Sequence, residues 1–165
     1  MDAPPARRRP VRRRRIVGIT APALVGVLLV LQLVPYGRDH TDPPLTKRVQ
    51  LGTAQQRQLF QAACQDCHSY DTDWLWYSNI APVSWLVQND VDGGRERLNL
   101  SAWDRPQPEL DEVIEQISSG EMPPLKYWVS PYHWSARLSD TEKQQLIAGV
   151  RDLHATDPPI TEGGG

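Results

Sequence analysis

From Ile16 to Val34 the chain runs without a charged side chain, IVGITAPALVGVLLVLQLV. As a helix this run spans roughly 28 Å at 1.5 Å per residue, close to the hydrocarbon thickness of a bilayer. Downstream, apolar residues recur at helical spacing. Leu59, Phe60, Ala63 and Cys67 predict a helix over 53–67, with Thr53 as its cap. Trp85, Leu86 and Val87 predict a second over 84–91, stopped by Gly93-Gly94. Leu110, Val113, Ile114 and Ile117 predict a third over 108–118, with Pro108 in its first turn and Gly120 beyond its end. Ser139-Asp140-Thr141-Glu142 is a capping box that opens a last helix, which buries Leu146, Ile147, Val150 and Leu153. Strand signals are weak, and Glu121 to Leu138 carries no period. The pattern is that of an all-α domain of about four short helices with long loops, preceded by one transmembrane helix.

Charge sharpens the boundaries. Residues 1–15 hold seven Arg and one acid, Asp2, which leaves 11 basic and 19 acidic residues and a net −8 for the remainder. A basic head before an apolar run places the N-terminus in the cytoplasm and exports the rest of the chain. With no small-x-small cleavage site after Val34, the run reads as an uncleaved signal anchor. This favours a membrane over nucleic acid as partner of the basic head. The expected organisation is therefore a basic cytoplasmic segment (1–15), a signal anchor (16–34), a linker (35–50) with Pro35, Pro43 and Pro44, a folded domain (51–156), and a disordered tail (157–165). The domain would lie on the periplasmic side of the cytoplasmic membrane.

The chain has two cysteines, three apart, followed by histidine: Cys64-Gln65-Asp66-Cys67-His68. Thiols at this spacing can each add to one vinyl group of a haem, and the next residue then presents an imidazole to the iron. C-x-x-C-H is the attachment signal for a single covalently bound haem c. The rival readings are weaker. A structural disulfide is uncommon at this spacing, a thioredoxin-like thiol site needs a βαβ pattern that is missing, and zinc needs a second pair of ligands.

Met122 is the candidate sixth ligand, because Met1 belongs to the cytoplasmic segment and Pro123-Pro124 would stiffen the loop that presents the thioether. His133 is the serious alternative; His154, at the end of the last helix, and His40, in the linker, are further rivals. A haem-ligating His commonly donates its second ring N–H to a fixed acceptor. Pro82 is the candidate source of that carbonyl. A thin core of short helices would gain from a large apolar cofactor. Of the six Trp, several, Trp74, Trp76 and Trp85 among them, are candidates to line its pocket, with ordinary packing as the competing explanation.

The segment CQDCHSYDTDWLWYSNIAPVSWLVQNDVDGGRERLNL, followed by Ser-Ala-Trp and later by GEMPPLKYWVSPYHWSARLSDTEKQQL, resembles the haem-binding domain family of bacterial membrane-anchored monohaem c-type cytochromes. In that family CxxCHS precedes a WxWYSxIAPVSW segment, an LNFSxW segment, and an MPP before a His and a final helix. The likeness covers most of 51–150. It implies a cytochrome c-like fold around one haem, with attachment at Cys64 and Cys67, His68 as proximal ligand and Met122 at the MPP position. His133 matches a family position too, so both distal candidates stand. The stretch between Pro124 and His133 is slightly longer than the family's.

The leading expectation is an electron carrier, since His/Met ligation leaves no position for substrate. Its partners would be redox proteins of the respiratory chain, met through an acidic surface. The alternative is a haem enzyme or a gas or redox sensor with an open or displaceable sixth ligand.

Overall fold

The computed structural model describes residues 11–161, with side chains from Thr20 onward. Residues 1–10 of the basic segment and 162–165 of the tail lie outside the described residues.

The first helix, α1, runs Val11–Leu31. The run expected to be helical over 16–34 is therefore helical to Leu31 only. Beyond it the N–H groups of Gln32, Leu33 and Val34 bond three residues back, to Leu29, Val30 and Leu31, and tighten the chain before Pro35. Among the described residues no helix is long and apolar enough to cross a membrane. The apolar side chains of α1 are nonetheless exposed, Leu29 by 65% and Val30 by 63%.

The core is built by α2 (Ala54–Ala63), α5 (Leu110–Ser119) and α7 (Asp140–Thr156). Leu59, Val113, Ile117, Leu146, Ile147 and Leu153 meet there around Leu51, Leu100 and Trp103. Both capping boxes form, at Thr53/Gln56 and Ser139/Glu142. Gly120 closes α5 in the left-handed conformation, φ 80°. Two short helices, α3 (Gln65–His68) and α6 (Leu125–Trp128), lie outside this core, together with 3-10 turns at Trp76–Asn79 and Trp134–Ala136. The expected helix over 53–67 is thus two, broken at Cys64. A two-residue parallel pair, Pro106–Gln107 with Ile160–Thr161, ties part of the expected disordered tail back onto the domain.

The helix expected over 84–91 extends much further, as α4 from Val83 to Arg97. Gly93-Gly94 does not end it. Gly94 lies where α4 crosses α3, and a Cβ there would run into the carbonyl and Cβ of Cys67. A residue that weakens an isolated helix is here the one that lets two helices approach.

Residues 35–50, expected as a solvated linker, lie against the domain. Gly37 sits on the Ser84 backbone with φ +77°. His40 stacks on Trp74, with ring centroids 4.2 Å apart. The buried Arg95 gathers this strap: it donates to Thr41 O (3.0 Å), Asp42 Oδ1 (2.5 Å), Thr72 Oγ1 (2.9 Å) and Ser69 O (2.9 Å). The end of α1 is held as well. The Gln32 amide donates to Ala81 O (2.8 Å) and accepts from Ala81 N (3.0 Å).

Candidate functional site

Cys64 lies between α2 and α3, and the rest of the C-x-x-C-H motif forms α3 itself. Both cysteines are free thiols, and burial pushes each up to about 12, so both are protonated at neutral pH.

His68, the last residue of α3, is turned toward α4. Its Nδ1 is 2.9 Å from Leu98 O and 3.1 Å from Gly94 O. These carbonyls require Nδ1 to carry the proton, so Nε2 keeps its lone pair for a metal. Burial holds the imidazole below its ordinary pKa, against the opposing pull of the two carbonyls, and keeps it in the neutral, ligating form. The motif is fixed further by Leu100 N donating to His68 O (2.9 Å) and Arg95 donating to Ser69 O. Pro82 does not supply the acceptor. Its carbonyl begins α4, accepting from Trp85 N at 3.2 Å and Leu86 N at 3.4 Å, fourteen residues from His68 along the chain.

Two cavities open beside the motif. The larger, about 330 Å³, lies over the core and is bordered by Phe60, Leu98, Leu100, Trp103, Val113 and Leu146 among others. The smaller, about 260 Å³, is bordered by Cys67, Asp90, Gly94, Pro123, Tyr127 and His133 among others. Cys64, His68, Arg97 and Met122 border both. Together they fall in the range of ~300–1,000 Å³ usual for small-molecule and cofactor sites. A flat tetrapyrrole needs an apolar slot, a neutral nitrogen ligand held from behind, and thiols at its rim. The residues present fit that group.

The distal candidates separate here. Met122 is half-buried, held by its own N–H on Gln116 O (3.0 Å), and borders both cavities with His68. His133 borders the smaller cavity only, and its Nε2 is paired with the Tyr77 hydroxyl. Burial lowers its pKa despite the nearby Asp66 and Asp73. His154 borders the larger cavity, edge-on to Trp103 at 5.6 Å. His40 borders neither, since its Nε2 lies 3.1 Å from Ser78 O in the strap.

The tryptophan expectation needs correction. Trp74, Trp76 and Trp85 border neither cavity. Trp74 is taken up by His40. Trp76 is 60% exposed in an edge-to-face group with Tyr77 and Tyr132, and the Trp85 backbone lies under Gly37. The tryptophan at the larger cavity is Trp103, 2% exposed, whose indole N–H donates to Asp157 O at 2.8 Å. Trp103 is one of the six Trp considered for the pocket but not one of the three singled out, and Arg97, Tyr127 and Gly94 border the cavities without being singled out for it. Gly94 and Arg97 stand three apart on α4, a spacing that puts both on the side facing α3.

No curated protein and no solved structure matches the chain significantly. The Haem-binding domain family matches residues 26–152, a span that contains every element bordering the two cavities except the last residues of α7. The chain belongs to the haem-binding domain family.

Proposed function

We propose that this protein is a membrane-anchored monohaem c-type cytochrome, which carries single electrons on the exported side of the membrane. Cys64 and Cys67 attach the haem, and His68 and Met122 are its axial ligands. The observation that carries this reading is His68: a neutral imidazole with Nδ1 fixed by two backbone carbonyls, beside cavities that Cys64 and Met122 share with it. Bound haem supplies an iron that cycles between ferric and ferrous. The chain's residues do the rest. Leu98 and Gly94 set the tautomer of His68 and raise its donor strength. Met122, a soft thioether in a mostly apolar slot, favours the ferrous form. Filling both axial positions excludes substrate from the metal.

The apolar, exposed side chains of α1, behind seven Arg, support a membrane as the partner of that helix. The acidic balance of the remaining chain supports docking to basic patches on respiratory redox partners, an encounter that salt would weaken. A second reading, a gas sensor or peroxidase-type enzyme with displaceable Met122, is favoured by one observation: His133, paired with Tyr77 and 5.0 Å from the Tyr127 ring, stands at the same cavity as a candidate proton donor.

The test is the absorption spectrum of the exported protein, oxidised and reduced, with and without carbon monoxide, followed by haem staining after denaturing electrophoresis. Carbon monoxide leaves the reduced spectrum of the electron carrier unchanged, and its haem stays with the chain. Ready carbon monoxide binding favours the second reading. Haem lost on denaturation rejects covalent attachment.

A further inference from the structure

Arg97 ends α4, one residue before the carbonyl that holds His68. It is exposed and borders both cavities, and its side chain makes no hydrogen bond or ion pair among the described residues. Lys47 is engaged with Asp157 at 2.6 Å, Arg48 with Asp71 at 2.8 Å and Lys126 with Asp90 at 2.6 Å; the exposed Arg105 and Arg151 have no such side-chain partner among the described residues either, but they border neither cavity. Among the described residues around the two cavities Arg97 is the one Lys or Arg, and it faces a rim of acids. Glu112 of α5 and Glu121 beyond it border the larger cavity, while Asp66 of α3 and Asp90 of α4 border the smaller; the other titratable groups there are His154, His133, His68, Cys64, Cys67 and Tyr127.

A haem brings two propionate carboxylates into this surrounding. Four carboxylates border the space they enter, of which Asp90 is already paired with Lys126, and Arg97 is the cation at its solvent edge. An arginine fork fits a carboxylate with two parallel N–H donors, and an exposed guanidinium reaches one without being desolvated.

We infer that Arg97 seats a haem propionate and, by neutralising that charge, sets the iron's midpoint potential. It acts as a positioning residue. The inference rests on haem occupying these joined cavities beside His68. An unpaired propionate near the iron favours the ferric state, so losing the guanidinium lowers the potential, and replacing it with an acid lowers it further.

The test uses the haem-loaded full chain with Arg97→Lys, Arg97→Gln and Arg97→Glu. Because Arg97 is exposed, these changes leave the core unaltered. The expected order of midpoint potential is wild type, then Lys close behind, then Gln, then Glu, with the axial-ligand spectrum constant across the series. Low-frequency resonance Raman gives an independent readout: the propionate bending band shifts in Arg97→Gln and returns toward its wild-type position in Arg97→Lys. Potentials that do not follow side-chain charge, or a bending band identical in wild type and Arg97→Gln, overturn the inference. A wild-type protein that takes up no haem overturns the underlying site instead, and the two failures are distinct.

Discussion

The two sides of the candidate haem slot are built differently. On the His68 side, α3 and α4 lock at backbone distance. Gly94 leaves no room beside Cys67, Leu98 and Gly94 accept from His68, Leu100 N donates to His68 O, and Arg95 donates to Ser69 O. On the Met122 side, residues 121–136 form one short helix and a 3-10 turn, and Leu125, Val129 and Trp134 are 63–70% exposed. Few backbone groups from elsewhere hold this stretch. One side is over-determined and the other is lightly tied, so a change on the first should cost folding or the cofactor, and a change on the second should alter chemistry while sparing both.

The largest effect is expected at His68. His68→Ala removes the imidazole whose Nδ1 is fixed by the Leu98 and Gly94 carbonyls, and the purified protein should lack the haem absorption of wild type. A normal Soret band in His68→Ala would mean that the two sides have been assigned the wrong way round.

Next comes the contact that makes the first side tight. Gly94→Ala places a methyl group against Cys67, where neither backbone can yield, and should destabilise the fold by about 1–3 kcal/mol or more. Its neighbour is the control. Nothing lies within 4 Å of a Cβ at Gly93, so Gly93→Ala should stabilise α4 by up to ~1 kcal/mol. Denaturant melts of the pair give opposite signs if the crossing is as close as described, and equal signs if it is not.

These residues also show what the sequence could and could not reveal. The C-x-x-C-H motif is legible because it lies within five consecutive residues. The partners of His68 were not, because they come from positions 26 and 30 residues later that only packing brings near; Pro82 was a plausible acceptor by type, yet its carbonyl starts a helix. Gly93-Gly94 reads as a helix stop because local propensity is all a sequence window contains, and a tertiary contact overrides it. Trp74, Trp76 and Trp85 resemble pocket residues from abundance alone, whereas the strap that occupies Trp74 and covers the Trp85 backbone reads as linker for its prolines. The helical stripes of α5 and α7 are clear because each buries one regular face in the core. The Met122 side carries no period, and it is the part that stays irregular.

A third prediction concerns that irregular side. Met122→Ala should keep the haem and the fold while opening the iron: the near-infrared Met-to-iron band disappears and carbon monoxide binds the reduced protein. His133→Ala should leave both unchanged. If the two variants exchange these outcomes, His133 is the distal ligand and Tyr77 its partner.

The smallest effect asks how far the lightly tied stretch is insulated from the core. It ends at Ser139, whose hydroxyl accepts from Glu142 N while the Glu142 carboxylate accepts from Ser139 N (2.8 Å) and Oγ (2.7 Å). Ser139→Ala removes the cap of α7 and should cost about 1 kcal/mol of global stability. Those bonds hold the Glu142 carboxyl below its ordinary pKa, because they are stronger to the charged form. A carboxyl depressed in the folded state contributes stability that is complete above its unfolded pKa and is lost as the pH falls through the folded value. Wild type should therefore lose this increment on acidification, and Ser139→Ala should show a shallower loss over the same range. Because the cap joins the loose stretch to a core helix, its removal should not touch the haem spectrum. A change in the axial-ligand bands of Ser139→Ala would show that Met122 is positioned through α7, and that the second side of the slot is tied more firmly than its exposure suggests.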